Sequence, residues 1–198
     1  GNGRIEARGR MLPMNYEEAV ARIESFRRFG PRPGLERIRA LLDRLGNPQD
    51  QLKFIHVAGT NGKGTTCTLA ASVLKEAGYR TGLYVSPHVS DFRERMQING
   101  EMIDKKSFAA LAERVFPIAA EMTARGQSVA EFEAITAAAL LYFAEQSCDL
   151  VVLEVGLGGR LDATNVIETP LVSVVTSISL DHTAVLGDTV EQIAREKC

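Results

Sequence analysis

Three observations predict a three-layer α/β/α domain with a mostly parallel sheet. An apolar run, Phe54-Ile55-His56-Val57, breaks into glycines and a lysine just before a helical pattern. A second apolar run, Arg80 to Val85, follows that helix within about thirty residues, and a strand, a crossover helix and a strand in that space make a right-handed βαβ unit, which needs a parallel sheet. Asp149 to Val155 is almost continuously hydrophobic, as expected for a strand buried on both sheet faces.

The break itself, Gly59-Thr60-Asn61-Gly62-Lys63-Gly64-Thr65, reads as a phosphate-cradling P-loop. Its glycines let the backbone turn tightly and approach a ligand closely. Amide groups at the start of the following helix, with the positive end of its dipole, favour polyphosphate. Lys63 adds a mobile cation and Thr65 stands where a magnesium-ligating hydroxyl belongs. Ala58 to Thr65 departs from G-x-x-x-x-G-K-[ST] in its first residue and in the insertion of Gly64. An ordinary glycine-rich turn is therefore the competing reading, and the flanking strand and helix favour nucleotide binding.

A chain of 198 residues is sized for one core. Hydrophobic residues at 45% and charged residues at 24% exclude general disorder. A formal net charge of −2 gives no footprint for nucleic acid. Arg27, Arg28, Arg32, Arg37, Arg39 and Arg44 are interleaved with Glu36 and Asp43, which reads as a solvated helix face. Cys67, Cys148 and Cys198 lack CxxC spacing, so neither a disulfide framework nor a zinc site is indicated, and a cytoplasmic setting fits. No apolar run reaches the roughly eighteen residues of a membrane span. Residues 1–14 read as an extension outside the fold and 15–198 as the domain, ending inside a helix as a fragment would.

In chain order, Asn15 with Glu18 predicts a capping box, and Ala19, Ile23 and Phe26 make the apolar stripe of a first helix that stops at Gly30. Leu35, Ile38, Leu41, Leu42 and Leu45 give a second helix, ended by Gly46. The helix after the glycine loop is expected to bury Leu69, Val73 and Leu74. Asn99-Gly100 between short alternating segments, Met96 to Ile103, predicts an inserted β-hairpin, either a flap beside the site or a plain surface hairpin. Helices follow over Lys105 to Ala124 and Glu131 to Gln146, then the buried strand ending near Glu154, a further strand over Leu171 to Ile178, and a last helix capped by Thr189 and Gln192.

Ligands of open parallel sheets bind outside the carboxyl ends of the strands. The polar residues expected there are Lys63 with Thr65, Ser86, Glu154 and His182. Around a triphosphate, such oxygen and imidazole groups suit Mg²⁺. Singly, Ser86 also reads as a turn start, Glu154 as a strand cap and His182 as a loop contact. His56 and His88 read as structural.

HVAGTNGKGTT, YVSPHV, LEVGLGGRLDATN and SLDHTAVLGDTVEQIAREK, with Arg32-Pro33-Gly34 ahead of them, resemble the folylpolyglutamate synthase/dihydrofolate synthase family of the Mur-ligase superfamily. The resemblance spans Tyr16 to Lys197, and Ser179 stands where that pattern carries glycine. It implies a Mur-ligase-like fold and an ATP- and Mg²⁺-dependent ligase that converts a folate or dihydropteroate carboxylate to an acyl phosphate, which L-glutamate attacks. It further implies that Asn61, Gly62, Lys63, Gly64 and Thr65 hold ATP, that Ser86, Glu154 and His182 ligate Mg²⁺, and that Lys63, His182 and Lys197 are catalytic, Lys197 as a carbamylated lysine. The pterin-bearing substrate would meet Arg32, Pro33, Gly34, Ala130, Glu131, Phe132, Glu133, Leu161, Asp162 and Ala163, with Phe132 either stacking on the ring or serving the core. Family members continue into a C-terminal domain absent from this chain. The full-length protein is expected to be a monomer, with no nucleic-acid or membrane partner, and this stretch alone to be inactive, with Lys197 frayed. Two other readings stay open: a Mur-type ligase of a cell-wall precursor, against which Arg32-Pro33-Gly34 argues, and a phosphate-binding module without catalysis.

Overall fold

The computed structural model describes residues 13–29, 34–179 and 189–197. Along the chain they form α1 (Tyr16–Glu24), α2 (Glu36–Arg44), β1 (Phe54–Ala58), α3 (Lys63–Glu76), β2 (Thr81–Tyr84), β3 (Met96–Ile98), β4 (Glu101–Met102), α4 (Lys105–Ala124), α5 (Glu131–Glu145), β5 (Leu150–Glu154), β6 (Val172–Val175) and α6 (Val190–Lys197). The sheet order is β4-β3-β2-β5-β1-β6. The four strands from β2 to β6 run parallel, with Phe54 opposite Val151, Ile55 opposite Val172 and Thr81 opposite Leu150.

Alternation along the strands divides the core into two layers. Phe54, Tyr84, Val151 and Leu153 face one side, where α1, α2, α4 and α5 cover them. Val57, Leu83 and Val152 face the other, where Cys67 of α3 packs among them. The expected α/β/α layering is thereby met, with most of the apolar mass on the α5 side. Among the described residues no helix is long and apolar enough to cross a membrane.

Local sequence accounts for most element ends. Asn15 Oδ1 accepts from the Glu18 amide at 2.8 Å while Glu18 accepts from Asn15 at 3.1 Å, the reciprocal cap expected for α1. Thr189 and Gln192 cap α6 in the same way.

Four expectations need correction. In α3, Leu69 and Val73 are 63% and 68% exposed, and the helix instead turns Cys67, Ala70, Ala71 and Leu74 inward. Small residues win that face because α3 lies close over the parallel strands. The Asn99-Gly100 hairpin is not a flap but part of the main sheet: Leu83 pairs with Gln97, so β3 runs antiparallel to β2, and β4 turns back antiparallel to β3 as the edge strand. Among the described arginines of that set, Arg37 alone leaves the expected solvated face, its side chain 18% exposed against 52% for Arg27 and 41% for Arg44. Arg27, Arg37 and Arg44 pair with Glu131, Glu133 and Glu121 on the helices packed beside them. Lys197, finally, is not frayed; it is only 7% exposed and hydrogen-bonded.

Candidate active site

The C-terminal ends of β1, β2, β5 and β6 bring the phosphate-side residues together. Gly59 has φ +141°, and a Cβ there would lie 1.8 Å from Thr176 Oγ1, so the chain can leave β1 against β6 only through glycine. The loop is then laced to the β6 exit. Thr60 N–H donates to the Ser177 carbonyl at 2.8 Å, Ser177 Oγ donates to the Asn61 carbonyl at 3.3 Å, and Ser179 N–H donates to Thr60 Oγ1 at 3.1 Å. Ser179 therefore serves as an anchor, and its side-chain oxygen sits 3.5 Å from Asn61 Nδ2.

Gly62, at φ +82°, precedes α3, whose first residue is Lys63. Asn61, Gly62 and Thr65 are exposed, while Lys63 and Gly64 are half-buried, so the N-terminal amides of α3, which no side chain caps, have an opening toward solvent. Glu154 closes that opening from below. It ends β5 on the α3 side, 5% exposed, and its Oε2 accepts the Ser86 N–H at 3.0 Å. A Cβ on Gly64 would come within 3.9 Å of both carboxylate oxygens, so glycine keeps the space in front of Glu154 open. Burial raises the Glu154 pKa above its ordinary value, opposed by the Ser86 amide and by the charge of Lys63. A buried carboxylate beside Gly64 and within the field of Lys63 suits a hard cation that takes few protein ligands and completes its shell with phosphate oxygens and water. Among the described residues no group of three or more His, Cys, Asp or Glu gathers to hold a metal by itself.

Lys197 approaches the same loop from the opposite layer. Its Nζ donates to the Gly59 carbonyl at 2.8 Å. Arg160 N–H donates to the Glu196 carbonyl at 2.9 Å, seating the end of α6 on the Gly156–Asp162 segment. Between them lies a cavity of about 430 Å³ lined by His56, Ala58, Val155, Gly159, Arg160 and Lys197 among others.

Of the residues implied for the pterin substrate, Phe132 and Asp162 meet the chain just past the end of β5. A Cβ on Gly156 would strike the Phe132 ring tip at 2.5 Å, so only glycine leaves room for that ring, and Tyr84 lies 6.1 Å from it between ring centroids. Asp162 is buried beside it, Oδ2 accepting from Leu157 N–H at 2.7 Å and Oδ1 from Thr164 N–H at 3.0 Å. Ala163 is buried and Leu161 partly exposed. Glu133 accepts its own cap bond from Ala130 N–H at 2.8 Å and holds Arg37, which neighbours Gly34. Glu131 lies between Arg27 at 2.6 Å and buried Arg95 at 3.8 Å, and Arg95 donates to His88 Nδ1 at 3.1 Å. Arg32, Pro33 and His182 lie outside the described residues.

A family model described as Mur ligase middle domain matches residues 57–198. The chain belongs to that family. This Mur ligase domain is 47% identical over 184 residues to a probable bifunctional folylpolyglutamate synthase/dihydropteroate synthase of Haloferax volcanii, covering 93% of the chain and 22% of the relative. It is 46% identical over 185 residues to a dihydrofolate synthase/folylpolyglutamate synthase of Bacillus subtilis, covering 92% and 43%. Among solved structures, a folylpolyglutamate synthase complex with AMPPCP and folate superposes with a TM-score of 0.85 at 44% identity, covering 93% of this chain and 45% of that one. The chain thus spans less than half the length of these relatives.

Sequence reasoning passed over Thr60, Thr176, Ser177 and Thr164. A signal was present for the β6 group, since three hydroxyl residues leave one strand end at Thr176, Ser177 and Ser179. Thr164 carried no signal of its own, because its partners are Asp162 two residues away and a strand more than a hundred residues upstream.

Proposed function

We propose that this Mur ligase domain is the ATP-binding N-terminal part of a cytoplasmic folylpolyglutamate synthase/dihydrofolate synthase. One observation carries the reading: Glu154 at the end of β5 lies beside Gly64 of the anchored loop and holds Ser86, while Gly156, two residues on, lies against Phe132. The similarity to enzymes of that name supports it.

In this reading the amides of Asn61 to Thr65 and the Lys63 ammonium hold the ATP phosphates. Ser86, Thr65 and Glu154 would hold Mg²⁺, with His182 completing the set; when bound, the cation neutralises charge on the phosphates. The substrate carboxylate takes the γ-phosphoryl group, releasing ADP and forming an acyl phosphate. The L-glutamate amine then forms the amide and expels phosphate. Such transfers depend on positioning and charge more than on protein nucleophiles, which fits a site of amides, one lysine and one carboxylate. The Lys197 amine would combine with carbon dioxide to a carbamate, losing a proton. Its remaining N–H can keep the Gly59 carbonyl while the new carboxylate adds an anionic oxygen ligand. The acyl phosphate must be shielded from water, so the domain by itself should bind nucleotide without turnover.

ADP release by the full-length protein with dihydropteroate or tetrahydrofolate and L-glutamate tests the reading. Glutamate-dependent release is expected, and Lys63→Ala should abolish nucleotide binding while leaving the circular dichroism spectrum unchanged. Release only with a cell-wall precursor, or ATP binding without release on any of these substrates, would replace it.

A further inference from the structure

His56 belongs to the strand that feeds the glycine loop, yet the chemistry above leaves it unused. Its Nε2 lies 2.8 Å from Thr164 Oγ1, and Thr164 Oγ1 lies 2.6 Å from Asp162 Oδ1. Burial raises the Asp162 pKa, but Oδ2 accepts the Leu157 N–H and Oδ1 the Thr164 N–H, and both bonds hold it as the accepting carboxylate. Thr164 must therefore donate its single hydroxyl proton to Asp162, and the bond from His56 must run the other way, with Nε2–H as donor. Burial lowers the His56 pKa to about 4, so the ring is neutral near pH 7 and has one N–H to give. The result is a directed chain from His56 through fully buried Thr164 to buried Asp162.

Local capping alone would need only the Thr164 and Leu157 amides. The hydroxyl link is extra, and it crosses from the substrate segment to β1. We propose that Thr164 is a positioning residue for the folate-type substrate: its hydroxyl, held by His56 of the nucleotide-loop strand, fixes the Asp162 carboxylate beside the β5 exit. Nucleotide loop and substrate segment are thereby set by one strand. This rests on the functional reading above, since it takes Asp162 to meet the substrate.

The test uses the full-length protein. Thr164→Val keeps the branched shape and both backbone caps but removes the hydroxyl. It should raise the KM for the pteroate substrate about tenfold, as for loss of a hydrogen bond to a charged group, with the KM for ATP and kcat nearly unchanged. Thr164→Ser should restore the wild-type KM. Equal losses in Val and Ser, or a loss shared by ATP, would overturn the proposal. Nitrogen-15 NMR of the wild-type His56 ring gives a readout free of activity: an Nε2–H tautomer is expected, and an Nδ1–H tautomer would overturn the relay even if folate turnover is intact. A wild type that turns over no folate-type substrate while carrying the Nε2–H tautomer would instead overturn the functional reading and the substrate role with it.

Discussion

Lys197 reaches across 2.8 Å to the carbonyl of Gly59, joining the last turn of α6 to the first residue of the glycine loop. The two are 138 residues apart in sequence. Their contact depends on how closely α6 lies on the segment after β5, and Gly159 decides that distance.

A Cβ on Gly159 would meet the Glu196 carbonyl at 2.6 Å and Lys197 Cα at 3.0 Å, both backbone atoms that cannot rotate away. Gly159→Ala should therefore cost about 1–3 kcal/mol and lift α6 from the loop. Urea denaturation should show the loss, and the Lys197 amine should become more reactive toward an acylating reagent. An unchanged midpoint would mean that α6 already moves freely over this segment.

Glu154→Gln should have opposite effects on the free and the magnesium-loaded protein. The Glu154 pKa is raised from 4.5 by burial, so the folded state binds its proton more tightly than the unfolded chain does. The stability it contributes is present below the ordinary value and is lost as pH rises from there toward neutrality. Replacing the carboxylate should therefore stabilise the nucleotide-free protein once Glu154 is ionised, and flatten part of the fall in melting temperature as pH rises above 4.5. Asp162, also raised by burial, keeps the rest of that slope. The same variant should weaken nucleotide binding only when Mg²⁺ is present. Equal weakening with and without the cation would make Glu154 a structural strand end.

Much of this was legible in the sequence because it is local. Caps, the Asn99-Gly100 turn and the buried run of β5 are each set by residues within a few positions of one another, and the site residues follow once the strand ends are known. What stayed hidden depends on partners distant in the chain. The outward face of Leu69 and Val73 reflects how near α3 lies to the sheet, which periodicity does not record. The anchors at Thr176 to Ser179 needed the neighbour relation of β1 and β6, and the His56–Thr164 bond needed the layer on which His56 points. The buried Arg37–Glu133 pair stayed hidden for the same reason, since charge interleaving along one helix cannot reveal a carboxylate on another.

Arg37 and Glu133 give the sharpest test of that last point. Arg37 Nε donates to both Glu133 oxygens, at 3.0 and 3.2 Å, and its terminal nitrogen lies 3.0 Å from Oε1. Glu133 also caps the start of α5 through Ala130 N–H, so this one carboxylate joins α2 to the helix that carries Phe132. Removing the guanidinium leaves a charge with little water around it. Arg37→Ala should cost about 3–5 kcal/mol, far more than an exposed ion pair. Adding Glu133→Gln should recover part of that loss, because the amide oxygen can still accept the cap bond without a buried charge. A double-mutant cycle by chemical denaturation measures the coupling. A loss under about 1 kcal/mol for Arg37→Ala, with no recovery in the double variant, would show that solvent screens the pair and that α2 is held by its leucines alone.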